Sequence, residues 1–181
     1  MQQYIALLRG INVGGHTVKM DRLRALFEEL GLENVATFIA SGNVIFESTA
    51  RKGDALERKI EKHLLESLGY GVETFIRTTA ELAKVAEYEP FSKGERTEGS
   101  SLYIMFLHDP PSPTVRKKLQ ELRSETDDFH VHGREVYWLC RTKLSESPLF
   151  AKGLVEKALG KPATSRNVNT VMKMAAKYPA G

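Results

Sequence analysis

The chain opens on an apolar run, Tyr4-Ile5-Ala6-Leu7-Leu8, that leads into Arg9-Gly10-Ile11-Asn12-Val13-Gly14-Gly15, a strand running into a glycine-rich turn. Leu23, Leu26, Phe27 and Leu30 then recur at helical spacing from about Met20, and Gly31 stops the helix. Val35 to Ala40 and Val44 to Glu47 are short, β-rich and separated only by Ser41-Gly42-Asn43, which predicts a hairpin. A second helix is expected near Asp54, with Asp54 and Glu57 at capping-box spacing and Leu56, Ile60, Leu64 and Leu68 on one stripe before Gly69. Val72 to Ile76 completes a β-α-β-β-α-β order over residues 1–78, the split βαβ of ferredoxin-like folds.

Residues 79–181 predict a second, smaller α+β subdomain of βαββα type. Thr78 and Glu81 have capping-box spacing ahead of a short helix that ends before Pro90. Leu102 to Leu107 is a continuous apolar strand, and Ser112-Pro113 opens a helix carrying Val115, Leu119 and Leu122. Phe129 to Val131 and Val136 to Cys140 form a hairpin around Gly133. One helix is then expected from Ser147-Pro148 to Leu159, and a last one opening at Thr164-Ser165-Arg166-Asn167 with Ser165 as its N-cap. The halves echo each other in architecture without a visible residue-level repeat. In the first sheet, alternation puts Tyr4, Ala6, Leu8, Phe38, Val44, Phe46 and Phe75 on one face. Ile5, Leu7, Val35, Ile39, Ile45, Val72 and Ile76 fall on the other. Helices cover one face of such a sheet, so the aromatic face is expected to be buried by the other half.

Composition narrows the class. At 181 residues with 41% hydrophobic and 27% charged positions, the chain is an ordinary globular one. Its single cysteine, Cys140, permits no internal disulfide and no multi-cysteine zinc site. With no export signal and no apolar stretch of membrane-spanning length, a cytoplasmic protein is expected. Charge is uneven: residues 1–140 carry 18 Lys and Arg against 21 Asp and Glu, whereas residues 141–181 carry 8 against 2. The basic C-terminal helices would suit an anionic partner or simply be solvated.

Three segments offer chemistry. In the first, Arg9, Gly10, Asn12, Gly14 and Gly15 combine a bidentate cation with a backbone open to an anion, although the spacing is neither a dinucleotide fingerprint nor a P-loop. Ser41, Gly42 and Asn43 make a hairpin turn whose hydroxyl and amide would orient the polar part of a ligand. In the plain topology this hairpin is expected at the opposite end of the sheet from Arg9, unable to share its pocket. Ser165, Arg166 and Asn167 would open a helix, where an arginine opposes the dipole unless an anion or a carboxylate offsets it. His130 and His132 share a strand face, but no third metal ligand is suggested, and no cofactor motif or nucleophile with its base is present.

Taken in order, Tyr4 to Gly15, Thr37 to Phe46 and Thr164 to Thr170 resemble the bacterial domain of unknown function 1697 family, over nearly the whole chain. The resemblance implies an α+β protein with a ferredoxin-like subdomain and assigns neither an activity nor catalytic residues. The residues point first to binding of a small phosphorylated or carboxylated ligand at the subdomain junction, with Arg9 and Arg166 neutralising it. Nucleic-acid binding through the basic C-terminal region is an alternative. So is a protein-interaction or homodimer module. Bases stacked on the sheet aromatics are disfavoured because the hairpin strand, Ser-Gly-Asn-Val-Ile-Phe, lacks the RNA-recognition pattern.

Overall fold

A computed structural model describes residues 1–39 and 42–181. The protein is α+β, with two four-stranded antiparallel sheets. Chain contacts divide it into two compact units: residues 1–84 with 173–181, and residues 85–172.

The first unit runs β1 (Gln2–Arg9), α1 (Met20–Glu28), β2 (Glu33–Thr37), β3 (Asn43–Ser48), α2 (Gly53–Leu68), β4 (Glu73–Thr78) and the start of α3 (Thr79–Glu87). Its strand order, β2-β3-β1-β4, is that of the expected β-α-β-β-α-β arrangement. The apolar stripes act as the spacing predicts: Leu23, Leu26 and Phe27 of α1 and Leu56, Ile60 and Leu64 of α2 are buried in one core with Tyr4, Ala6, Leu8, Val44 and Phe46. The aromatic face is therefore the one the helices of this unit cover, contrary to expectation. Phe27 meets Phe46 edge-on at 5.7 Å, and Tyr4 stacks on Phe46 at 5.8 Å. Phe75 and Ile76 also exchange faces, since Ala6 is registered with Ile76 and Leu7 with Phe75. No capping box forms at Asp54: α2 starts one residue earlier on Lys52, which caps nothing with its side chain, and Glu57 is buried. The box at α3 is real, because Thr78 N donates to Glu81 Oε2 at 2.8 Å and Glu81 N to Thr78 Oγ1 at 3.0 Å.

The second unit runs β5 (Ser101–Phe106), α4 (Pro113–Glu121), β6 (Asp127–His132), β7 (Glu135–Cys140), a 3₁₀ turn at Leu144–Glu146, α5 (Pro148–Ala151), α6 (Leu154–Leu159), β8 (Thr164–Asn167) and the start of α7 (Val168–Lys177). Its order, β6-β7-β5-β8, repeats that of the first unit. Two features differ from the sequence expectation. Thr164 to Asn167 is an edge strand rather than a helix start, and the helix expected from Pro148 to Leu159 is broken at Gly153, whose φ is +60°. Ser112 caps α4 as expected, accepting from Val115 N at 3.2 Å ahead of Pro113.

Register exposes a residue-level repeat that was not legible in the sequence. Tyr4 pairs with Phe46 and Thr78, and Ile5 with Ile45 and Arg77. Tyr103 pairs with Trp138 and Asn167, and Ile104 with Tyr137 and Arg166. Tyr4-Ile5-Ala6-Leu7-Leu8 is thus the counterpart of Tyr103-Ile104-Met105-Phe106-Leu107, and Val44-Ile45-Phe46 that of Val136-Tyr137-Trp138. Arg77 and Arg166 are counterparts too. Each is the penultimate residue of a strand that runs straight into a helix, and each donates from Nη1 to the preceding carbonyl at 2.9 Å. Among the described residues, no helix is long and apolar enough to cross a membrane.

Candidate functional site

The glycine-rich turn after β1 is a built loop. Gly10, Gly14 and Gly15 have φ of +71°, +62° and +83°, a region that disfavours any side chain. Ile11 and Val18 are buried at its two ends, and between them Asn12 Oδ1 accepts from Val18 N at 2.7 Å. Tyr70, just past the glycine that ends α2, donates its hydroxyl to the Ile11 carbonyl at 2.8 Å and stacks its ring on His16 at 3.9 Å. Burial raises the Tyr70 phenol above its ordinary value, which keeps this donor protonated.

Beside this loop lies an open cleft of about 370 Å³ lined by Arg9, Gly10, Gly14, His16, Tyr70 and Glu73. Arg9 is the last residue of β1 in register with β4, where it stands opposite Glu73. A Cβ on Gly14 or Gly15 would meet nothing within 4 Å, so their backbone is open on that side, whereas one on Gly10 would come within 3.3 Å of Val13 Cγ2. The Tyr70 hydroxyl is spent on the loop itself.

The hairpin lies at the same end of the sheet as this loop, which corrects the expectation that it lies at the other. β1 and β3 are antiparallel, Leu7 is registered with Asn43, and Leu8 N donates to the Gly42 carbonyl at 2.8 Å. Gly42, just before β3, thus comes to the residue next to Arg9. Ser41 lies outside the described residues. Asn43 is buried, and its Nδ2 donates to the carbonyls of Phe38 at 3.0 Å and Ile39 at 3.3 Å. That clasp holds Ile39, a β-branched residue, at a φ of +46°. Asn12 and Asn43 thus both shape the chain through backbone bonds. Lys177, from the last helix, has Nζ 5.4 Å from the centre of the Phe38 ring just after β2.

The third segment belongs to the second unit. Ser165 is exposed in β8, and the cap of α7 is Asn167, whose Oδ1 accepts from Asn169 N at 2.9 Å. Arg166 precedes the helix instead of sitting in its first turn, which removes the dipole conflict. It donates to Thr164 Oγ1 at 2.8 Å, and desolvation pushes its pKa down to about 10, leaving it cationic at neutral pH. Of the two histidines of β6, His130 Nε2 is hydrogen-bonded to the Tyr88 hydroxyl at 2.7 Å, and His132 stacks on the Tyr88 ring at 3.8 Å. Cys140 is buried, with Sγ 3.2 Å from the Thr142 carbonyl. Sequence reasoning missed Tyr70, His16 and Glu73, for which no spacing ties them to the loop. It also missed Arg77, whose correspondence to Arg166 appears only in the register of the two sheets.

The profile of the family described as "Protein of unknown function (DUF1697)" matches residues 1–137. The chain belongs to that family. The match takes in the glycine-rich loop and the hairpin but stops short of Thr164. Among solved structures, the chain is similar to the conserved bacterial protein SP0830 from Streptococcus pneumoniae, at 21% identity and a TM-score of 0.73 over 99% of each chain. That likeness is one of fold. No curated protein matches the chain.

Proposed function

We propose that this DUF1697 member binds a small phosphorylated or carboxylated ligand, with the anion seated at the glycine-rich loop after β1. The observation that carries the reading is the loop itself: three glycines at positive φ, two of them unobstructed, on a frame stapled by Asn12 and Tyr70, in a cleft that Arg9 also lines. A loop stapled before the ligand arrives loses little entropy on binding. Glu73, across from Arg9, and Lys177, near the hairpin, make the surroundings mixed in charge. This favours a ligand with a polar, hydrogen-bonding remainder over bare inorganic anion.

The test is a thermal-melt screen against sugar phosphates, mononucleotides, di- and tricarboxylates and a short single-stranded RNA, at two salt concentrations. A specific ligand at about 100 times its Kd adds about 2.7 kcal/mol, or about 5–10 °C for a chain of this size. The expected result is a salt-tolerant shift from one small anion that disappears in Arg9→Ala, with the melting temperature of the free variant unchanged. Stabilisation by RNA alone, falling steeply with salt, would overturn the reading in favour of the basic C-terminal region. Silence across the panel with a concentration-dependent mass would overturn it in favour of a self-associating module.

A further inference from the structure

The second unit contains a pocket that the glycine-rich loop reading does not use. It encloses about 220 Å³ on the helix-covered face of the second sheet. Tyr103 and Trp138 form its floor, with their rings 6.4 Å apart and tilted by 54°. Phe150 and Val155, from the two short helices, wall it. Ser165, in register with Met105 on the edge strand β8, is exposed at its rim.

The internal repeat shows how this floor differs from its counterpart. In the first unit Tyr4 and Phe46 lie in a core that Leu56, Ile60 and Leu64 of α2 complete, and Tyr4 is 3% exposed. The Tyr4 hydroxyl donates to the carbonyl of Ala50, two residues beyond the end of β3, at 2.6 Å. In the second unit Gly153 interrupts the covering helix, and Tyr103 is left half-buried. The residue two beyond the end of β7 is Thr142, whose carbonyl accepts instead from Cys140 Sγ at 3.2 Å. The Tyr103 hydroxyl makes no hydrogen bond to any described residue. The second unit thus supplies neither the apolar cover nor the carbonyl acceptor that the first gives its tyrosine. The floor is nevertheless rigid. Asp127, 1% exposed, accepts from Trp138 Nε1 at 2.8 Å and from Ser147 Oγ at 3.1 and 3.2 Å, so one carboxylate sets both the indole plane and the start of α5.

Size, polarity and charge select the occupant. A volume near 220 Å³ excludes a peptide helix or a polymer and admits one ring with a short chain. Among the described residues lining the pocket there is no cationic side chain, and the one carboxylate, that of Glu156, is already engaged within the fold. A charged ligand leaving water would therefore find no counter-ion here, whereas a neutral one loses little. We infer that this pocket binds a neutral molecule of one aromatic ring bearing a carbonyl group, such as an aryl amide or ketone, with the ring against Trp138 and the carbonyl oxygen accepting from the Tyr103 hydroxyl. The site lies in the second unit alone and would stand if the anion reading failed.

Trp138 is the chain's single tryptophan, so intrinsic fluorescence reports on the pocket floor. Titration of the full chain with 2-phenylacetamide should change that fluorescence saturably, and ligand-observed saturation-transfer NMR should detect the same binding. Phenylacetate and 2-phenylethylamine, anionic and cationic analogues of similar size, should each bind about tenfold more weakly. Tyr103→Phe keeps the ring and should weaken 2-phenylacetamide about fivefold, while leaving ethylbenzene, which has no acceptor, bound as in the wild type. Ser165→Phe, at an exposed edge-strand position, should block both neutral probes in a chain with an unchanged melting temperature. Arg9→Ala should leave amide binding intact, which separates this test from that of the anion site. Non-saturable responses in both measurements, a charged analogue bound as well as the amide, equal amide affinity in wild type and Tyr103→Phe, or undiminished binding in folded Ser165→Phe would each overturn the assignment.

Discussion

The two units build one framework twice and finish it differently. In both, the central strand carries a Tyr-Ile pair, the Tyr faces an aromatic residue on the third strand, and the Ile faces an arginine on the fourth. In the first unit the helix between the third and fourth strands is continuous over 16 residues and buries three leucine or isoleucine side chains on one stripe. In the second the same connection is a 3₁₀ turn and two helices of four and six residues, and the aromatic pair lies at the bottom of a pocket. The unbroken helix completes a core; the broken one leaves space over a floor of the same design. In the first unit an open cleft lies beyond the strand end, beside the glycine-rich loop.

The largest test of this contrast lies in the covering helices. Ile60→Ala removes a fully buried side chain from α2 and should cost about 2–5 kcal/mol in chemical denaturation, because the sheet beneath cannot collapse onto the void. Val155→Ala, beside a pocket already open, should cost less than half as much; equal losses would mean that the second unit's core is as closed as the first. Asp127→Ala should cost about 2–3 kcal/mol, since it strands the Trp138 indole N–H and the Ser147 hydroxyl, and should shift the Trp138 emission. The glycines come next. Gly153→Ala forces a side chain to a φ of +60° and should cost about 1 kcal/mol. Gly53→Ala, at the start of α2, should be neutral or stabilise by about 0.4–1 kcal/mol, because its added Cβ would meet Ile76 at an ordinary 3.4 Å. A stabilised Gly153→Ala would show that the break is not set by this backbone.

The smallest effect is in alkali. Burial raises the phenol pKa of Tyr137 strongly and those of Tyr4 and Tyr70 as well, with Glu81 adding to the shift at Tyr4. A phenol that ionises later in the folded chain stabilises it fully below the unfolded value of about 10, and that contribution is lost as pH rises beyond it. Stability should therefore decline above about pH 10, with the Tyr137 phenolate absorbance appearing only together with unfolding. Absorbance from all six tyrosines while the circular dichroism stays native would contradict the burial.

Much of the framework was legible because it rests on local periodicity. The stripes of α1 and α2, the cap at Ser112, the box at Thr78 and Glu81 and the strand at Leu102 to Leu107 each follow from spacing. Local signals failed where a residue's environment overrode its type. Thr164 to Asn167 has the composition of a helix start, yet β5 offered it four backbone partners and made it an edge strand. Glu57 has capping spacing, yet it is buried. The first-sheet faces were misassigned at β4 because one residue of register exchanges every side chain, and register belongs to the pairing.

The candidate site divides in the same way. The sequence by itself pointed to a turn at glycines 10, 14 and 15 beside an arginine, since glycine adopts positive φ without strain. It also determined the α+β class and the order of the first six elements. Only the tertiary structure decided that the hairpin comes to the residue next to Arg9, that Tyr70 and Asn12 staple the loop, and that Arg77 and Arg166 are counterparts. Those facts depend on hydrogen bonds and register between segments far apart in the chain, which no local pattern of residues encodes.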